Sequence, residues 1–200
     1  PEVPAMDGSS APFLELVDHV GLHQRPAPRR AIQVLKPITV EEGGRRAELI
    51  PALRPAIDVT IEFDDAAIGR QSFAFEVSPA NFRDLVAPAR TFGFRRDYEK
   101  LTAMGLARGG SMENAVVIEE DGVANPEGLR FADEFVRHKA LDALGDLFLA
   151  GAPILGLYKA IRPGHGLNNR VLHALFADAD AWRMVTMREG HAVAETAARG

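Results

Sequence analysis

The chain has 200 residues, 46% of them hydrophobic, enough for one sizeable core or for one full domain and part of another. Its formal net charge is −5, with 28 acidic against 23 basic residues, which argues against a nucleic-acid binder. It has no cysteine, so disulfides and thiolate metal sites are excluded and a metal would be held by His, Asp or Glu, the donors of zinc and other divalent ions.

The chain opens at Pro1 without a basic region followed by an apolar one, so no signal peptide is read there, and Pro1 in place of Met suggests a fragment or a processed product. Residues 1–8 read as a strand end and a turn, with Asp7-Gly8 as the turn signal. Ser9 or Ser10 can cap a helix, and Pro12 suits its first turn. Phe13, Leu16, Val17 and Val20 then recur at helical spacing, which predicts one buried face, and Gly21 ends the helix. Residues 24–30 are polar and proline-rich and read as a linker between domains.

After the linker the pattern becomes β. Residues 31–35 and 38–40 are short strand candidates, and Gly43-Gly44 is a hairpin signal leading into 47–50. Ile57, Val59, Ile61 and Phe63 alternate with polar residues, as do Phe73, Phe75 and Val77, which predicts two half-buried strands. Ser78-Pro79 opens a helix to about Ala87, where Pro88 weakens its end. The stretch 91–130 is irregular and rich in glycine, with a short strand at 116–118 and a turn at Asp121-Gly122. Residues 133–150 carry the strongest helix signal. The longest apolar stretch, 147–157, is interrupted by Gly151, Pro153 and Gly156, so no membrane span is expected. A second helix is predicted from about Asn168 to Ala177, a last strand at 182–187 and a frayed tail at 191–200. Strands in one block and helices in another indicate the α+β class and not alternating βαβ units.

Three segments could carry chemistry. His138 and Asp142 are four residues apart on a helix, so their side chains share a face and can meet one ion, and Asp146 continues the stripe. A catalytic zinc takes three protein ligands and a water, so this helix would supply two and need a third from elsewhere. A solvated His–Asp surface pair accounts for the same spacing. His165 lies between Gly164 and Gly166, where the backbone is free to set its ring in a cleft and the imidazole can move a proton near neutral pH. A loop histidine beside a helix capped by Asn168 is the plainer alternative. Thr91, between bulky apolar residues in Ala-Arg-Thr-Phe-Gly-Phe, could donate to an oxyanion at a pocket mouth, although core aromatics after a helix would give the same pattern. Gly109-Gly110-Ser111 lacks the lysine and spacing of a nucleotide phosphate loop.

Taken together, four ordered motifs resemble the UDP-3-O-acyl-N-acetylglucosamine deacetylases, the bacterial zinc amidases of lipid A synthesis. They are Pro4-Ala5-Met6-Asp7-Gly8-Ser9 with Pro12-Phe13, residues 89–94, residues 131–147 around His138-Lys139, and Gly164-His165 with Asn168-Asn169. The resemblance covers roughly residues 1–187. It implies two domains, each a β-sheet layered on a helix pair, with the active site between them. Residues 1–25 would then be the C-terminal remnant of the first, 26–30 the linker, 31–190 the second domain and 191–200 a tail. A βαβ-like insert at about 98–130 would form an apolar passage for a fatty acyl chain. The same resemblance implies that His138 and Asp142 bind Zn2+, that Asp146 orients His165, that His165 stabilises the oxyanion and protonates the leaving amine, and that Thr91 adds a hydrogen bond. Lys139 would reach the substrate diphosphate, and Phe92, Met112, Ala115 and Val117 would border the acyl passage or the sugar. The expected partner is a UDP-sugar with a fatty acyl chain, bound by a cytoplasmic monomer. The family's third zinc ligand and general base form a Glu-His pair upstream of the segment matching Pro1, so the chain as given is expected to be incomplete for catalysis. A zinc amidohydrolase of another substrate and a non-catalytic nucleotide-sugar or acyl-chain binding module are the rival readings.

Overall fold

A computed structural model of the chain describes residues 4–105, 109–188 and 191–194. The first helix, α1 (Ala11–Val20), follows Ser10 with a proline in its first turn and stops where Gly21 takes φ 81°. None of its residues is buried, and Leu16, Val17 and Val20 stand exposed, so the face expected to be covered is open among the described residues. The segment before α1 is bonded to chain far away in sequence. Thr91 N donates to Gly8 O, Ser10 N donates to Ala87 O, and Arg130 pairs with Asp7 at 2.8 Å. Gly8 has φ 82°, and a Cβ there would lie 2.1 Å from the Asn114 carbonyl oxygen, so only glycine fits.

Strands β1 (Arg29–Val34), β2 (Ile38–Glu42), β3 (Arg45–Pro51), β4 (Ala56–Glu62) and β5 (Arg70–Glu76) follow where the alternation marks them. Gly43 and Gly44, at φ 54° and 74°, make the two-residue turn that sets Glu42 opposite Arg45. Ser78 Oγ accepts from Asn81 N at 3.1 Å and starts the short helix α2 (Pro79–Asn81), which continues as a π-helical turn over Phe82–Val86. Then come β6 (Phe92–Phe94), α3 (Arg95–Ala103), β7 (Val116–Glu119) and β8 (Gly122–Val123). β6 and β7 pair in parallel across α3, which makes a small βαβ unit with β8 added as a hairpin. Residues 106–108 of the expected insert lie outside the described residues.

Helix α4 (Glu134–Leu147) ends earlier than the 133–150 expected, because one 3-10 turn (Phe148–Ala150) follows it. Strand β9 (Ile154–Ile161) comes next, then α5 (His165–Ala177) and β10 (Trp182–Arg188). α5 begins at His165, earlier than the expected Asn168, and Gly164 stands at its cap position. The expected frayed tail starts with a paired strand, β11 (His191–Ala194), antiparallel to β10, while 195–200 lie outside the described residues.

β9 organises the sheet. It runs antiparallel to β3, parallel to β4 over Leu157–Ile161, and parallel to β1 at Ile154 and Leu155. Gly156 is required there, since a Cβ would come within 2.9 Å of Val34 Cγ2 and 3.1 Å of Ile50 O. α4 packs on β4 and β5, α5 packs on β2 and β3, and the two helices touch each other. The core between them holds Leu49, Ile57, Val59, Phe135, Leu167 and Leu175, each contributing about 1.5–3 kcal/mol of burial. The result is a mixed α+β fold in which a curled sheet carries a helix pair on one layer.

Candidate functional site

One stripe of α4 carries His138, Lys139, Asp142 and Asp146. His138 is nearly buried, and its Nδ1 lies 3.0 Å from Ala89 O. A carbonyl only accepts, so Nδ1 carries the proton and Nε2 presents its lone pair. Burial pushes the His138 pKa below its ordinary value, more than Asp142 and the Ala89 carbonyl raise it, which favours the neutral ring. That lone pair faces Asp142 Oδ1 at 3.4 Å, and the other carboxylate oxygen accepts from Lys139 Nζ at 2.8 Å.

One turn beyond Asp142 on α4, Asp146 Oδ2 accepts from His165 Nδ1 at 2.8 Å. Starting α5 at His165 is what brings the two side chains together. The same oxygen accepts from Asn168 Nδ2 at 2.8 Å, and Asn168 Oδ1 accepts from the Tyr158 hydroxyl at 2.5 Å. Burial first, and the Asp146 charge second, push the Tyr158 phenol up and keep it protonated.

A second polar group lies behind His138. Arg90 is 3% exposed and Glu134 0%. Glu134 accepts from Arg90 N and Nε, both at 2.9 Å, from Arg90 Nη2 at 3.2 Å and from Arg130 N at 2.6 Å. Arg90 also donates to Gly128 O and Glu127 Oε1. This pair ties the first turn of α4 to residues 89–91, and so it fixes the carbonyl that orients His138 and the backbone that carries Thr91.

The βαβ unit forms the wall of an open cavity of about 510 Å3. Phe92, Met112, Ala115, Val117 and Lys139 all line it, together with Phe94. Phe92 sits edge-on to Phe135 and to the His138 ring, with centroids 4.9 and 6.3 Å away, so the cavity abuts the α4 stripe. Asn125, 4% exposed, holds the wall in place. It accepts from Val117 N at 2.8 Å and donates to the carbonyls of Met112 and Ala115, each at 3.0 Å.

The structure thus joins His138 with Asp142, joins Asp146 with His165, and gathers the expected acyl-passage residues around one cavity. Thr91 immediately precedes β6, with its carbonyl accepting from Val116 N. Sequence reasoning gave no role to Arg90, Glu134, Asn125 or Tyr158, and offered Asn168 as a helix cap, whereas Gly164 holds the cap position and Asn168 is buried inside α5. The available signal was a polar group bordering an apolar run, as Tyr158 borders Ile154–Leu157 in β9.

Fold and site together define an α+β domain whose candidate centre lies between a helix pair and an inserted βαβ unit, with a neutral imidazole, two carboxylates and an exposed imidazole beside an apolar cavity. The profile of the family described as UDP-3-O-acyl N-acetylglycosamine deacetylase (LpxC) matches residues 1–177, and the chain belongs to that family. A UDP-3-O-acyl-N-acetylglucosamine deacetylase of Phenylobacterium zucineum is 53% identical over 189 residues, 94% of this chain and 64% of the relative. Proteins of the same name from Shewanella violacea and Myxococcus xanthus are 49% and 45% identical over 93% and 94% of this chain, and 61% and 60% of their own lengths. The chain therefore spans somewhat under two thirds of these relatives. No helix among the described residues is long and apolar enough to cross a membrane.

Proposed function

We propose that this chain carries part of a zinc-dependent deacetylase site that hydrolyses the acetamide of UDP-3-O-(hydroxyacyl)-N-acetylglucosamine, releasing acetate in cytoplasmic lipid A biosynthesis. Family membership supports the chemistry. The observation that carries the site is the His138 Nε2 lone pair facing the Asp142 carboxylate at 3.4 Å. Two electron-rich atoms at that separation call for a cation between them. Tetrahedral zinc with donors at about 2.0–2.2 Å sets those donors about 3.4 Å apart, so the pair fits the ion as it stands.

Among the described residues no cluster of three or more His, Asp or Glu completes a metal site. Catalytic zinc takes three protein ligands, and on the family resemblance we assign the third ligand and the general base to the family's Glu-His pair, which has no match in this sequence. Held by His138 and Asp142, zinc would supply the Lewis acidity that amide hydrolysis needs. His165, held by Asp146, stabilises the oxyanion and protonates the leaving amine, and Thr91 donates a further hydrogen bond. Lys139, at the junction of the α4 stripe and the cavity, reaches the diphosphate. Phe92, Met112, Ala115 and Val117 receive the acyl chain. Residues 1–25 are assigned to a first α+β domain, 26–30 to a linker and 31–190 to a second domain.

The test is acetate release, with zinc added, by the 200-residue chain and by a chain extended upstream. The extended chain is expected to turn over and the shorter one is not. Equal rates from the two would place the whole centre within these residues and end the assignment. Substrate binding by the extended chain without acetate release would identify a binding module.

A further inference from the structure

Tyr158 in β9 is 1% exposed and Asn168 in α5 is 0% exposed. A phenol and an amide in an apolar core are costly unless their hydrogen bonds are made. Here they are made to each other and to Asp146 alone among the bonds described. The direction of each follows from chemistry. A carboxylate oxygen accepts, so the Asn168 atom 2.8 Å from Asp146 Oδ2 is the amide nitrogen. The amide oxygen therefore faces Tyr158, and the hydroxyl donates to it. Asp146 Oδ2 thus takes two donors, one buried and fixed (Asn168) and one belonging to a ring whose side chain is 73% exposed (His165). Little packing holds that ring, so its direction is set by Asp146, that of Asp146 by Asn168, and that of Asn168 by Tyr158.

We infer that Tyr158 and Asn168 are positioning residues for His165, acting through Asp146. The inference rests on the roles proposed above for Asp146 and His165. A core that needed only filling would be served by apolar side chains at both positions. The polar pair gives the exposed imidazole a buried anchor instead.

Tyr158→Phe in the upstream-extended, zinc-loaded chain removes one oxygen and leaves the packing. It should lower kcat about tenfold, short of the roughly 10²-fold cost of a 1 Å misplacement, with KM unchanged. The loss should vanish in an Asp146→Ala background, where the connection is already cut. Independently of turnover, nitrogen-15 NMR should show the His165 Nδ1 proton exchanging faster with water in Tyr158→Phe and in Asn168→Ala than in the parent chain. Unchanged kcat with an unchanged Nδ1 proton would overturn the inference. So would a kcat loss that persists in full beside Asp146→Ala, which would make Tyr158 a core residue only. If Asp146→Ala leaves turnover intact, the roles proposed for Asp146 and His165 fail, and the Nδ1 signal alone decides whether the pair anchors the ring.

Discussion

Replacing Glu134 with glutamine removes a charge, keeps the shape and tests how the centre is supported. All four contacts to the Glu134 carboxylate come from donors: Arg90 N, Nε and Nη2, and Arg130 N. Glutamine turns one of the two oxygens into a donor, so in either orientation an NH2 group meets N–H groups at hydrogen-bond distance. Arg90 keeps Gly128 O and Glu127, but the Glu127 side chain is 55% exposed and screened by water. Removing one partner of a buried ion pair costs about 3–5 kcal/mol, and the surviving contacts place this case at the lower end, about 3 kcal/mol. For a chain of this size that is a fall in melting temperature of about 6–12 °C, read by circular dichroism. The pH dependence has a definite sign. Burial raises the Glu134 pKa, but the Arg90 hydrogen bonds and the backbone donors of 90 and 130 outweigh it and hold the group below its ordinary 4.5. The folded state then binds fewer protons than the unfolded one. The stabilisation is complete above about pH 4.5 and is lost as pH falls through the lower folded value. The parent should therefore lose stability in acid more steeply than Glu134→Gln. A loss below about 1 kcal/mol, or identical acid slopes, would refute this reasoning.

Gly156→Ala should destabilise the chain by about 1–3 kcal/mol, read as a lower urea midpoint, because Ile50 O is backbone and cannot move aside from the added methyl. An unchanged midpoint would show that β9 can shift. Asn125→Ala leaves Val117 N without its acceptor and the Met112 and Ala115 carbonyls without their donor. It should cost about 1–3 kcal/mol and weaken binding of a fluorescent fatty-acyl probe about tenfold, and equal probe affinity would separate this wall from acyl binding.

The strands with one wet face were legible because alternation records burial directly. β4 shows this, with Ile57, Val59 and Ile61 buried and the residues between them less so. β9 was not legible. Its buried positions from Gly156 on, Tyr158 and Ala160, do alternate with Leu157, Lys159 and Ile161, but apolar residues stand on both faces and the first three residues are all buried, so the sequence shows no alternation, and Gly151, Pro153 and Gly156 read as interruptions. Yet Gly156 is there because Val34 and Ile50 approach too closely for a side chain. The start of α5 was placed late because Gly164 and Gly166 imply a loop, whereas the helix begins between them at His165. In the site, helical spacing was enough to pair His138 with Asp142. The partnership of Asp146 with His165 came from family resemblance, since it joins two helices across β9. The supports are long-range contacts, 44 residues apart for Arg90 and Glu134, which no local pattern encodes.

Zinc titration into the upstream-extended chain, beside its His138→Ala and Asp142→Ala variants, bears on the claim that these two side chains hold the metal. One tightly bound equivalent is expected in the parent, with affinity falling by more than about 100-fold in each variant while the circular dichroism spectrum is unchanged. Stoichiometric, tight zinc binding that survives His138→Ala would contradict it.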